Sequence, residues 1–238
     1  MRSGLSRAAV AGLMSLGIGA LSAGCGGGRL GTDLSQRPPP HALAAPAATT
    51  LHLPRDRPIN ITLGRSHRAP GLSGSVEADA ATDGQATADA RVSIQQGVEG
   101  EAPIQLGHAL RNDTDRQTDV DFLIRVQFGL EAATAPPENR PGATVGPRLC
   151  ARDPRGRLRH EAVLGDYAPE FEAVQRVGQE TLRLTLTLAP GEALGEFLAG
   201  RVVGAVEGPW SASARLQIRS LQCELTTQPV PAVRTRLS

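Results

Sequence analysis

The chain has 238 residues, 40% hydrophobic, 21% charged and only 3% aromatic, a globular composition that implies one sizeable domain with an aliphatic core. A formal net charge of +1 gives no electrostatic ground for binding nucleic acid. All 25 basic residues are arginine, which together with abundant Ala, Gly and Pro fits a GC-rich coding bias better than a selected guanidinium surface.

In chain order, Arg2 and Arg7 come first, then an uncharged apolar run over 8–21, then Ser22, Ala23 and Gly24. This is the layout of a secretory signal, residues 1–24, and the run is shorter than the roughly 20 residues a membrane-spanning helix needs. Leu21-Ser22-Ala23-Gly24-Cys25 resembles the lipobox of bacterial lipoproteins, with Ser22 where that family usually has leucine. The resemblance implies that Cys25 is lipidated as the first residue of the mature chain. It also implies a membrane as partner through that lipid and a place in the bacterial cell envelope. Gly26 stands where an inner-membrane-retention aspartate would be, which implies the outer membrane in a diderm host. Ordinary cleavage after Ser22 or Ala23 is the alternative, leaving Cys25 a thiol on a periplasmic or secreted protein.

Residues 25–57 hold Gly26-Gly27-Gly28, Pro38-Pro39-Pro40 and an Ala/Thr/Pro stretch, with little hydrophobic periodicity. The composition predicts a disordered tether, stiffer at the prolines. From residue 58 to 228 the period is two. Leu182, Leu184, Leu186 and Leu188 alternate with polar residues, the pattern of a half-buried strand, and Val120, Phe122, Ile124, Val126, Phe128 and Leu130 predict a central one. Weaker alternation recurs over 59–63, 72–80, 88–98, 104–111, 148–152, 158–164 and 198–206. Ala214, Leu216 and Ile218 change phase to Leu221, Cys223 and Leu225, which predicts a β-bulge near Arg219-Ser220. The segments 112–117 and 153–156 have hairpin-turn composition. Phe171, Val174 and Val177 at spacing three predict one short helix over 168–177. The sum is an all-β chain: a single antiparallel β-sandwich, immunoglobulin-like, with a closed barrel as second choice and residues 229–238 as a flexible tail.

With Cys25 assigned to lipid, Cys150 and Cys223 remain, and an oxidising compartment predicts a disulfide between them. Cys150 is out of phase with Leu149, which would place that bridge at an edge or loop; two buried thiols are the alternative. Chemistry-bearing motifs are sparse. No GxSxG, HExxH or phosphate-binding loop occurs, so the expectation is a non-enzyme without a cofactor. Asp113, Asp115 and Asp119 form a weak calcium alternative lacking the glycine of an EF-hand. His108 is in phase with Ile104, Leu106 and Leu110 and is expected in the core. Arg155 and Arg157 lie in a basic segment that would contact an anionic ligand or form a solvated, charge-alternating hairpin. Trp210 is a candidate ligand contact or a plug over one end of the sandwich.

The sequence therefore suggests a lipid-anchored envelope protein whose sandwich meets a protein partner through an exposed sheet edge. The alternative is an exported module for a small ligand or glycan.

Overall fold

The computed structural model describes residues 40–43, 49–68, 73–94, 98–135, 143–153, 157–165, 173–206 and 210–230. Where apolar and polar residues alternate, each strand turns one row of side chains inward, and two sheets stack to bury those rows. The first sheet contains β1 (His41–Leu43), β3 (Ile61–Gly64), β4 (His67–Arg68), β7 (Val98–Asn112), β9 (Ala143–Arg152), β10 (Leu158–Val163) and β12 (Ala193–Val206). The second contains β2 (Thr49–Leu53), β5 (Ser73–Ala80), β6 (Ala86–Ile94), β8 (Thr118–Ala135), β11 (Val174–Leu188) and β13 (Trp210–Pro229).

In the first sheet the order is β10-β9-β12-β7, and the three short strands β1, β3 and β4 share the far side of β7. In the second, β11-β8-β13-β6-β5 are neighbours, and β2 takes over from β6 along the remaining length of β13. Every pairing is antiparallel except β1 against β7. The two-layer sandwich is therefore as expected; an immunoglobulin-like strand order is not a property that these pairings show. Between the layers, Ile104, Leu106, Leu149, Leu194 and Leu198 of the first sheet meet Phe122, Ile124, Phe128, Leu216 and Ile218 of the second. The long apolar row of β8 is central, flanked by β11 and β13, and its inward residues from Val120 to Leu130 are buried.

The bulge stands where the phase change puts it. Ile218 pairs with Phe128 and Ser220 with Gln127, leaving Arg219 as the extra residue. Leu216 and Ile218 before it and Leu221, Cys223 and Leu225 after it are all buried.

Four expectations are corrected. The tether does not extend to residue 57: His41–Leu43 and Thr49–Leu53 are strands, and Leu53 is buried in the core. Two short strands suffice there because each adds to an existing edge, so propensity alone gives no signal. The helix fails at Val174 and Val177, which belong to β11; the segment 166–172, with Phe171, lies outside the described residues. Spacing three over so few residues also fits a strand whose inward row is broken by Arg176 and Gly178. The turn at 112–117 is no hairpin, because it carries the chain from β7 in one sheet to β8 in the other; of the turn expected at 153–156, residues 154–156 lie outside the described residues, between the paired strands β9 and β10. Finally, Cys150 and Cys223 are not bonded to each other. Leu149 faces the core, so Cys150 lies on the other face of its sheet with Ile61 and Ala109, while Cys223 lies inside the core. The first sheet itself stands between the two side chains.

Candidate docking edge

The sandwich has four sheet edges, and they differ in how they are closed. The first sheet ends on one side in β1, β3 and β4, of three, four and two residues, and on the other in β10, whose register shifts between Leu158 and His160. On the second sheet, the end of β3 presses on β5: a Cβ added at Gly64 would stand 2.6 Å from the carbonyl oxygen of Ala78. Short strands, register breaks and covering segments are the usual means of keeping an edge from pairing.

Among the described residues, β11 has none of these. It pairs with β8 without a register shift over all 15 of its residues, from Val174 against Ala132 to Leu188 against Thr118. Among the described residues it has no other strand neighbour. The sequence explains its two halves. At Gly178 the Phe128 ring occupies the space a Cβ would need, and the inward-facing charges Arg176 and Glu180 flank it. From Thr181 onward the inward row is Leu182, Leu184 and Leu186, which pack against the core but are only partly buried, followed by buried Leu188. A strand with a second neighbour would cover such residues. This half carries no proline, bulge or inward charge before Ala189-Pro190.

The outer face of this half is polar and ordered. Thr185 Oγ1 donates to Asp121 at 2.5 Å and Thr187 Oγ1 to Asp119 at 2.6 Å, each across the β8–β11 pair. Farther along, Gln175 donates to Glu131 at 3.3 Å, and Val177, 62% exposed, faces out.

One end of β11 is fixed by a polar knot. Asn112, fully buried at the end of β7, donates through Nδ2 to the carbonyls of Arg116, Leu188 and Ala189 at 2.8–3.2 Å. Its Oδ1 accepts from the Thr114 amide and hydroxyl. The backbone adds Asn112 N–H to Glu192 and Gly191 N–H to Asn112. One side chain thus ties the β7–β8 connection to the β11–β12 turn, where Gly191 takes a positive φ of 73°. Neither the burial nor this role of Asn112 is suggested by its neighbours in sequence, where it reads as a turn residue.

Among the described residues, the carboxylates and arginines singled out from the sequence do not converge on one site. Asp113 is held by Arg111, raising the pKa of that guanidinium through their hydrogen bond; Asp115 is exposed beside Arg116, and Asp119 faces Thr187. Each of these carboxylates thus has a different neighbour, and among the described residues no group of three or more His, Cys, Asp or Glu side chains is placed to hold a metal. The arginines of the β9–β10 hairpin have acidic neighbours: Arg148 with Glu161, Arg157 with Asp153, and Arg159 with Glu192. Arg157 thus has an acidic neighbour while its side chain stays 73% exposed, and Arg155 lies outside the described residues. Trp210 opens β13 opposite Ile94. His108 is buried on the core side of β7. Cys25 lies outside the described residues.

No protein-family model matches the chain, and neither does any curated protein. Among solved structures, an arabinose-bound MgGH51 α-L-arabinofuranosidase aligns over 67% of this chain and 23% of its own, at 10% identity and a TM-score of 0.23. The family 11 carbohydrate-binding module of the cellulase Lic26A-Cel5E of Clostridium thermocellum aligns over 76% and 95%, at 9% identity and 0.23. The infectious bursal disease virus Gx strain aligns over 72% and 43%, at 11% identity and 0.19. Overlaps this loose carry no argument about this chain.

Proposed function

We propose that this is a lipid-anchored envelope protein whose sandwich acts by protein contact, with β11 as the docking edge. The observation that supports the reading is the long strand without a register shift, singly paired among the described residues, whose Leu182, Leu184 and Leu186 are only partly buried. An added strand would satisfy its outward amides and carbonyls and cover those leucines, main-chain bonds supplying affinity and the leucine row selectivity. The anchor at Cys25 would hold this edge near a membrane surface, where a restricted search raises the effective concentration of a partner in the same membrane.

The test is a photo-cross-linking residue at Thr185 in the full chain, activated in its own envelope. The expected product is a protein adduct, absent when the same residue is placed at Arg91 on the outer face of β6. Exclusively lipid or saccharide adducts, or none, would overturn the reading.

A further inference from the structure

We propose that the occupant of this edge is a second copy of the chain, the two β11 strands pairing antiparallel about a two-fold axis at Thr185. The inference rests on the reading of β11 as a docking edge and adds its partner. Closed two-fold contacts require a surface complementary to itself, and β11 supplies one. With Thr185 opposite Thr185 of the second copy, Leu184 meets Leu186, Leu182 meets Leu188, and symmetry repeats both pairs. All four inward leucines then face leucine, extending the core across the junction. The pairing ends where Thr181 reaches Ala189, next to Pro190, which has no amide to donate.

Charge selects the same register. On the outer face Arg183 comes opposite Thr187 of the second copy, whose hydroxyl is already bonded to Asp119, so the guanidinium extends toward a carboxylate one strand farther on. Opposite charges at such cross-strand and diagonal positions are favourable, and like charges unfavourable. Moving the axis one residue toward the N-terminus sets Glu180 against Leu188; moving it two sets Arg183 against itself. Moving it one residue the other way loses the Leu182 pair to Pro190. The result is one continuous sheet running through both copies.

The test uses the full chain in a non-ionic detergent. Sedimentation equilibrium is expected to give twice the monomer mass. Thr185→Cys is expected to form a 185–185 interchain disulfide, identified by peptide mass, while Gln175→Cys, far from the axis, forms none. Arg183→Glu, facing Asp119, is expected to weaken the dimer about tenfold, and Arg183→Glu with Asp119→Arg to restore it. A monomer, or a dimer without the 185–185 link, overturns the inference. If the chain is monomeric while Thr185 cross-links to another protein in the envelope, self-pairing falls and the docking edge stands; if Thr185 finds no protein at all, both fall.

Discussion

Asn112 concentrates more hydrogen bonds than any turn asparagine needs, and that makes it a sharp test of how the sheets are joined. Replacing it with alanine strips partners from the buried carbonyl of Leu188, the part-buried one of Arg116 and the amide of Thr114. Unsatisfied buried groups of this kind cost about 1–3 kcal/mol each, and partial access to water at the turn lowers the sum. Asn112→Ala is expected to destabilise the protein by about 2–4 kcal/mol in urea unfolding; a change below about 0.5 kcal/mol would show the knot to be idle. A second residue-scale expectation concerns Asp56. Its carboxylate accepts from the His52 amide at 2.8 Å and pairs with Arg55, and the amide bond first, then Arg55, hold its pKa below 3.8. A depressed carboxylate stabilises the fold above its unfolded pKa, and that contribution disappears as pH falls through the folded value. An NMR titration should place the Asp56 midpoint below 3.8, with the β2 turn loosening only in stronger acid; a midpoint above 3.8 would refute the contact.

At the scale of the element, the Arg219 bulge sets which face of β13 is inside. Deleting Arg219 alone leaves Leu221, Cys223 and Leu225 inward in a regular pleat, whereas deleting Arg219 and Ser220 together turns them outward or forces the strand out of register with β8. Burial of such side chains is worth about 2 kcal/mol apiece, so the double deletion is expected to cost at least about 4 kcal/mol, read as lost cooperativity in thermal unfolding, while deletion of Arg219 alone is expected to cost far less. Near-native stability of the double deletion would mean that the register is set elsewhere. This bulge was legible in sequence because six apolar residues change phase at one point. The central β8 and the leucine row of β11 were legible for the same reason. What periodicity does not contain is pairing. It identifies β11 as half-buried without saying that its open side is an edge, and it passes over β1 and β2, which are strands only because β7 and β13 offer them ladders. The same limit explains the 112–117 turn: its composition is that of a reversal, and only the packing of two layers decides that it crosses from one to the other. The first half of β11 misled because Arg176 and Gly178 interrupt its inward row.

At the scale of the whole molecule, the earlier start of the fold shortens the proposed tether. Between Cys25 and β1 about 15 residues remain, spanning at most about 50 Å when fully extended, so the sandwich would stay close to the surface that holds its lipid. Intact mass of protein from its own host is expected to match a chain beginning at acylated Cys25. Non-reducing peptide maps are expected to contain no Cys150–Cys223 cross-linked peptide, in line with their separation by a sheet. An unmodified chain beginning near Ala23 or Gly24 would remove the anchor from the proposal.

β13, the last of the described strands, is also the one on which the second sheet is built: β8 lies along one side of it, and β6 and then β2 along the other. During synthesis, β2, β6 and β8 therefore emerge well before the surface that unites them. A nascent chain stopped before Trp210 has three separate pieces of that sheet, β2, β5 with β6, and β8 with β11, and no strand to join them, so folding of this sheet must wait until β13 is available. The order of strands in space thus acts as a timer on the order of events in the cell, keeping the second sheet unformed until the twenty residues of β13 arrive.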